Sequence, residues 1–196
     1  FNRVEDIDYR KGSAAANREI YFNATGHSSN SDTRTKYGRV YKLVLDENNP
    51  LAGKLTLVLN GDDLTGKAKT FHSPDNIVVT ENYVYIQEDP IGYFDNADKT
   101  HYARLYQYDL NSGSLKTVLE CDQETAAAAG VGNVTKPWEI TGMIDVSETI
   151  GVDDTFIVIT QNHGWDNPNF TDPKAIDPSI ARSEGSQMYI IQGLDR

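Results

Sequence analysis

The chain has 196 residues, 38% of them hydrophobic and 10% aromatic, enough apolar material to bury a real core. Its 29 acidic residues outnumber 18 Lys and Arg, and the formal charge of −11 with no basic cluster excludes a phosphate-binding nucleic-acid surface. No run of eighteen apolar residues exists to span a membrane as a helix, and one cysteine, Cys121, excludes an internal disulfide framework.

In chain order the predicted elements are short runs rich in Val, Ile, Tyr and Thr, bounded by Gly, Asn, Asp or Pro: EIYFNAT, GRVYKLVLD, KLTLVLN, NIVVT, YVYIQE, RLYQYDL, LKTVLE, TFIVIT and QMYIIQ. This is an all-β pattern. Helical character is confined to DQETAAAAG, where alanines favour a turn of helix that Gly130 stops.

The runs repeat. VEDI (4–7), PDNI (74–77) and TGMI (141–144) each precede a second strand (EIYFNATGH, YVYIQEDPIG, TFIVITQNHGW) and a third (GRVYKLVLD, ARLYQYDL, SQMYIIQGLD). The first two units add a fourth, KLTLVLNGD and LKTVLECD. Four strands recurring at this period is the grammar of β-propeller blades, here about 1–66, 67–136 and 137–196, with the last blade incomplete. A β-sandwich accommodates the strand number but predicts no period. Three blades do not close a ring, so the expected architecture is a partial β-propeller, the C-terminal part of a larger one, completed by sequence upstream of Phe1 or by a partner chain. Long insertions follow the second strand in every unit, which puts them on one face, the face where loops carry function.

In a propeller the first strand of each blade lines the axis, so Glu5, Asp75 and Gly142 are expected to superimpose. Carboxylates converging there repel unless a cation is shared, and calcium, with its preference for hard oxygen donors, fits. Asp75 heads one strand and Glu88-Asp89 end the next, so these ends are expected to face a shared channel, with Asp89 as a further ligand or an ordinary turn residue before Pro90. Arg3 shares a side with Glu5 at strand period two, to clamp an anion or to pair with that acid. Asn76 reads as a carbonyl ligand or a turn residue. His27 and His163 end equivalent second strands as polar groups, Trp165 packs its loop or floors a site, and His72 lies near the channel mouth. Cys121, at a strand end, reads as a structural thiol. Asn23-Ala24-Thr25, Asn133-Val134-Thr135 and Asn169-Phe170-Thr171 are glycosylation sequons in form. No Ser-His-Asp order, CxxC pair, P-loop or GxGxxG is present.

The order FNRVEDI, EIYFNATG, GRVYKL, FHSPDNIVV with YVYIQED, then ITGMIDVS before TFIVITQNH, resembles the C-terminal half of PhoX-type bacterial alkaline phosphatases. The resemblance implies a secreted propeller, periplasmic or extracellular, that uses calcium (Ca2+) with ferric iron (Fe3+) to hydrolyse phosphate monoesters. It assigns Arg3 to the small phosphorylated substrate, Glu5 to metal, and an Asp of the later blade to metal, Asp75 first and Asp89 second. Val4 stands where the family commonly has proline. The family's remaining ligands, including a cysteine on iron, belong to its N-terminal half, and Cys121 matches no such motif, so the resemblance expects this piece alone to be inactive. Two other readings stand beside it: a non-catalytic calcium-stabilised binding module, and a calcium-dependent propeller lactonase or esterase.

Overall fold

The structure, a computed structural model, describes residues 1–27, 29, 33–90, 99–166 and 184–196. Parts of all three insertions, and the Asn169 sequon, lie outside the described residues.

Among the described residues, eleven strands form three antiparallel meanders. The first contains β1 (Val4–Tyr9), β2 (Glu19–Ala24), β3 (Arg39–Leu45) and β4 (Gly53–Asn60). The second contains β5 (Pro74–Val79), β6 (Tyr83–Glu88), β7 (Arg104–Asp109) and β8 (Leu115–Glu120). The third has β9 (Glu139–Asp145), β10 (Thr155–Asp166) and β11 (Glu184–Gln192). Helix among the described residues is confined to short pieces, chiefly α1 (Gln123–Ala128) in the alanine run and α2 (Ser147–Ile150). Asp122 caps α1 by accepting the Thr125 amide, and Gly130 follows in the left-handed region at φ 79°.

Strand order within each sheet follows chain order, so neighbours pair by local connections and each sheet buries alternate residues against the next. Tyr21, Val40 and Leu59 of the first sheet pack with Ile77, Val84 and Ile86 of the second. Tyr85 and Leu105, from the other face of the second sheet, pack with Ile140, Phe156 and Val158 of the third. Burying each such side chain contributes roughly 1.5–3 kcal/mol, which makes these two seams the cohesive core. The first strands adjoin: β1 packs against β5, and β5 against β9.

Between β1 and β5 side chains take the place of a backbone ladder. Asp6 and Asp8, two apart on one side of β1, accept the amides of Ile77 (2.9 Å) and Val79 (2.8 Å) with their Oδ2 atoms. Their Oδ1 atoms accept the amides of Ile7 and Tyr9, both at 2.8 Å.

β10 runs through His163 to Asp166, so His163 and Trp165 belong to the strand itself. Trp165 packs over Gly185, where an added Cβ would overlap its ring, which fixes Trp165 as a packing residue.

Candidate metal centre

The heads of the first strands share one backbone device. In β1, Glu5 and Asp6 lie between Val4, opposite Ala24, and Ile7, opposite Phe22, so two residues face Asn23 alone. In β5, Asp75 is the extra residue between Pro74 (opposite Glu88) and Asn76 (opposite Gln87). In β9, Thr141 is extra between Ile140 and Gly142. A one-residue bulge re-aims the side chain it carries, and all three sheets place one at the same level. The equivalence of Glu5 with Asp75 is therefore a shared bulge, and its third member is Thr141 rather than Gly142.

The residue before the head matches as well. Arg3 and Ser73 both adopt left-handed backbone, at φ 52° and 45°. The Arg3 carbonyl accepts the Thr25 amide at 2.8 Å, and the Ser73 carbonyl accepts the Asp89 amide at 3.0 Å. For non-glycine residues this conformation costs of order 1 kcal/mol or more, and it is held here by hydrogen bonds on either side. Gly38, at φ 94°, passes directly over Pro74; a Cβ there would run into the proline ring and lie 2.8 Å from the Thr25 carbonyl.

These devices bring four sequence-predicted residues into one electrostatic neighbourhood. Burial pushes the Asp75 carboxyl up to about 6, and the negative charges of Asp89 and then Glu5 push the same way. Arg3 and a 3.4 Å hydrogen bond from Thr25 Oγ1 act in the opposite direction. Arg3 Nε lies 3.2 Å from Glu5 Oε1, so the ion pair with that acid forms. A half-buried carboxylate crowded by two others is a fit for a hard cation with oxygen ligands.

In the third sheet the register puts Glu139, the residue before Ile140, at the station of Arg3 and Ser73. Glu139 Oε1 meets His163 Nε2 at 2.6 Å. TGMI begins one residue past the register equivalent of Val4 and Pro74, so the station of Glu139 becomes legible only from the partner strand.

Glu88 departs from its expected place. Adjacent strand residues point to opposite faces, and Glu88 shares a face with Val84 and Ile86, so it enters the seam between the first and second sheets while Asp89 stays with Asp75. Fully buried, Glu88 accepts the amide of His72 at 3.0 Å on Oε1 and the amide of Arg104 at 3.0 Å on Oε2, which also meets His101 Nε2 at 2.9 Å. The His72 and His101 ring centroids are 4.5 Å apart, and among the described residues this trio brings its ligand atoms within 4.8 Å of one another. Burial drives all three groups towards their neutral forms: both imidazoles are lowered and the carboxyl is raised. His72 thus lies inside the seam and not at a channel mouth. The trio was not legible as a unit, because His101 comes 13 residues after Glu88 in an insertion without periodicity.

The remaining candidates have plain roles. His27 is exposed and bonds Ser29 at 2.7 Å. Burial pushes the Cys121 thiol up to about 12, keeping it protonated. Asn23 is fully buried, so its sequon is not a glycosylation surface in this fold. No family model, curated protein or solved structure matches the chain.

Proposed function

We propose that the three meanders are successive blades of a β-propeller and that their bulged heads form a cation-dependent site for hydrolysis of phosphate monoesters. Support for the blades comes from the repeated meander, the adjacency of β1, β5 and β9, and the bulge at one level in each. The observation that carries the site is Asp75: a carboxyl held near 6 by burial and by Asp89 and Glu5, with Arg3 beside it.

Glu5, Asp75 and Asp89 would hold calcium, and a bound cation there supplies Lewis-acid polarisation of a phosphoryl oxygen. Arg3 has a planar fork of donors matched to phosphate, and its pairing with Glu5 keeps that fork at the mouth until an anion competes for it. Thr25 fixes one oxygen of Asp75, leaving the other for a ligand. Ferric iron finds no thiolate ligand in Cys121, whose thiol burial keeps neutral. The resemblance to PhoX-type phosphatases supports the same chemistry.

The test is release of phosphate from p-nitrophenyl phosphate by the protein completed with the rest of its propeller, together with metal analysis. Turnover that needs calcium and falls at least about a hundredfold in Arg3→Ala supports the reading. Unchanged turnover in Arg3→Ala, or calcium without turnover, rejects it. The latter outcome selects a non-catalytic calcium-stabilised module, which the existing Arg3–Glu5 pair favours.

A further inference from the structure

We propose that His72, Glu88 and His101 form a second metal site, buried between the first two sheets, that takes a divalent first-row transition ion, with zinc the ion to test first. Two imidazole nitrogens and one carboxylate oxygen suit zinc, cobalt or iron(II) and not calcium, which takes oxygen donors. The site is therefore chemically distinct from the acidic mouth and does not depend on the phosphatase reading.

Three observations carry it. First, the ligand atoms already lie within 4.8 Å of one another. Donors about 2.0–2.1 Å from a tetrahedral zinc ion lie about 3.4 Å from one another, so closing the trio by up to about 1.4 Å through side-chain rotation completes the site. Second, hydrogen-bonding capacity is left over in this seam. His101 is 8% exposed, and among the described residues its Nδ1 has no hydrogen-bond partner. Asn23, on the same side of β2 as Tyr21 and so directed into the same seam, is fully buried with neither amide atom partnered among the described residues. Buried polar atoms of this kind are rare in folded proteins and mark unfilled water or ion positions. Third, the ion has a route: His101 lines a pocket of about 440 Å³ that also presents Glu120, Glu124 and Thr135.

The proton inventory closes without a co-reactant. In the metal-free protein the carboxyl proton of Glu88, held towards its neutral form by burial, lies between Oε2 and His101 Nε2, and the neutral imidazole carries its own proton on Nδ1. Metal binding releases the carboxyl proton to solvent, and the His101 Nε2 lone pair and the Glu88 oxygen it faced both turn to the ion. Burial, which keeps both imidazoles neutral, keeps them in the ligating form at neutral pH. Glu88 is further oriented by the His72 and Arg104 amides, which gives a second layer of hydrogen bonds that fixes the carboxylate.

The experiment adds Zn2+ or Co2+ to chelator-treated protein, removes excess by gel filtration and counts metal per chain, with Co2+ visible absorption reporting nitrogen ligation. The expected result is about one tightly held ion per chain with a low-symmetry cobalt spectrum. Affinity should weaken by at least about tenfold in His101→Gln and in His72→Gln while Asp75→Asn keeps it. No retained ion in the wild type, a cobalt spectrum of oxygen ligands alone, or full retention in both histidine variants overturns the site. Should a variant fail to fold, the wild-type stoichiometry and spectrum decide; loss of the ion in Asp75→Asn alone would assign it to the acidic mouth instead.

Discussion

Asp6 of β1 and Ile77 of β5 are 71 residues apart in the chain, yet the Asp6 carboxylate accepts the Ile77 amide at 2.9 Å. With the matching Asp8–Val79 bond, this joins two sheets whose first strands would otherwise present bare edges to one another. A carboxylate acceptor gives a hydrogen bond worth about 1.5–3 kcal/mol, more than a neutral ladder bond. Asp6→Ala and Asp8→Ala should each destabilise by roughly 1–3 kcal/mol in urea unfolding, and Asp→Asn by less because an acceptor oxygen remains. Equal losses for Ala and Asn would mean that charge, not acceptance, matters.

Asp75→Asn should act oppositely with and without calcium. A carboxyl whose folded pKa is raised to about 6 holds its proton more tightly folded than unfolded, so once ionised above that pH it opposes folding. In chelator the amide removes that penalty and the thermal midpoint should rise. With calcium the wild type gains stability by binding while the variant does not, so the order should reverse. Calorimetry of the two proteins in both buffers checks the crossover.

Gly38→Ala should disturb the same site from a distance. Its φ of 94° disfavours any side chain, and the new methyl would collide with Pro74, the residue beside Asp75. The expected cost is about 2 kcal/mol or more. Calcium affinity should fall with stability, because Pro74 and Asp75 must shift together; isothermal titration on the folded variant measures it.

Cys121 supplies the alkaline prediction. The folded thiol keeps its proton to about 12, whereas an unfolded one loses it near the ordinary value of 9.0. Between those pH values the folded state binds more protons, so stability declines as pH rises. Buried tyrosines such as Tyr85, also raised, add to the decline at higher pH. Unfolding free energies at pH 8 and pH 10 should therefore differ less in Cys121→Ala than in the wild type. Native Cys121 should also react with a thiol reagent far more slowly than the same residue in urea.

How much of this was legible in the sequence depended on whether a residue's position follows from its own strand or from its partner. Arg3, Glu5, Asp75 and Asp89 could be grouped because each sits at the end of a strand in a repeated unit, and in the structure the charges of Asp89, Glu5 and Arg3 all act on Asp75. The bulges could not, since an extra residue exists only relative to the strand opposite it; that is why Thr141 and Glu139 were missed. Glu88 was misplaced by one step of strand alternation, the smallest error available, and that step moves it from the side of Asp75 and Asp89 into the core. Asp6 and Asp8 look like ordinary solvated acids until β5 arrives beside them.

Because the kink at the strand head belongs to the backbone, its occupant is exchangeable. The third copy already offers Thr141 a station matched to those of Glu5 and Asp75, so aspartate introduced there would bring another carboxylate to the cluster without rebuilding any strand. On the proposed reading, cation preference becomes a property of three single positions, open to tuning by substitution one sheet at a time.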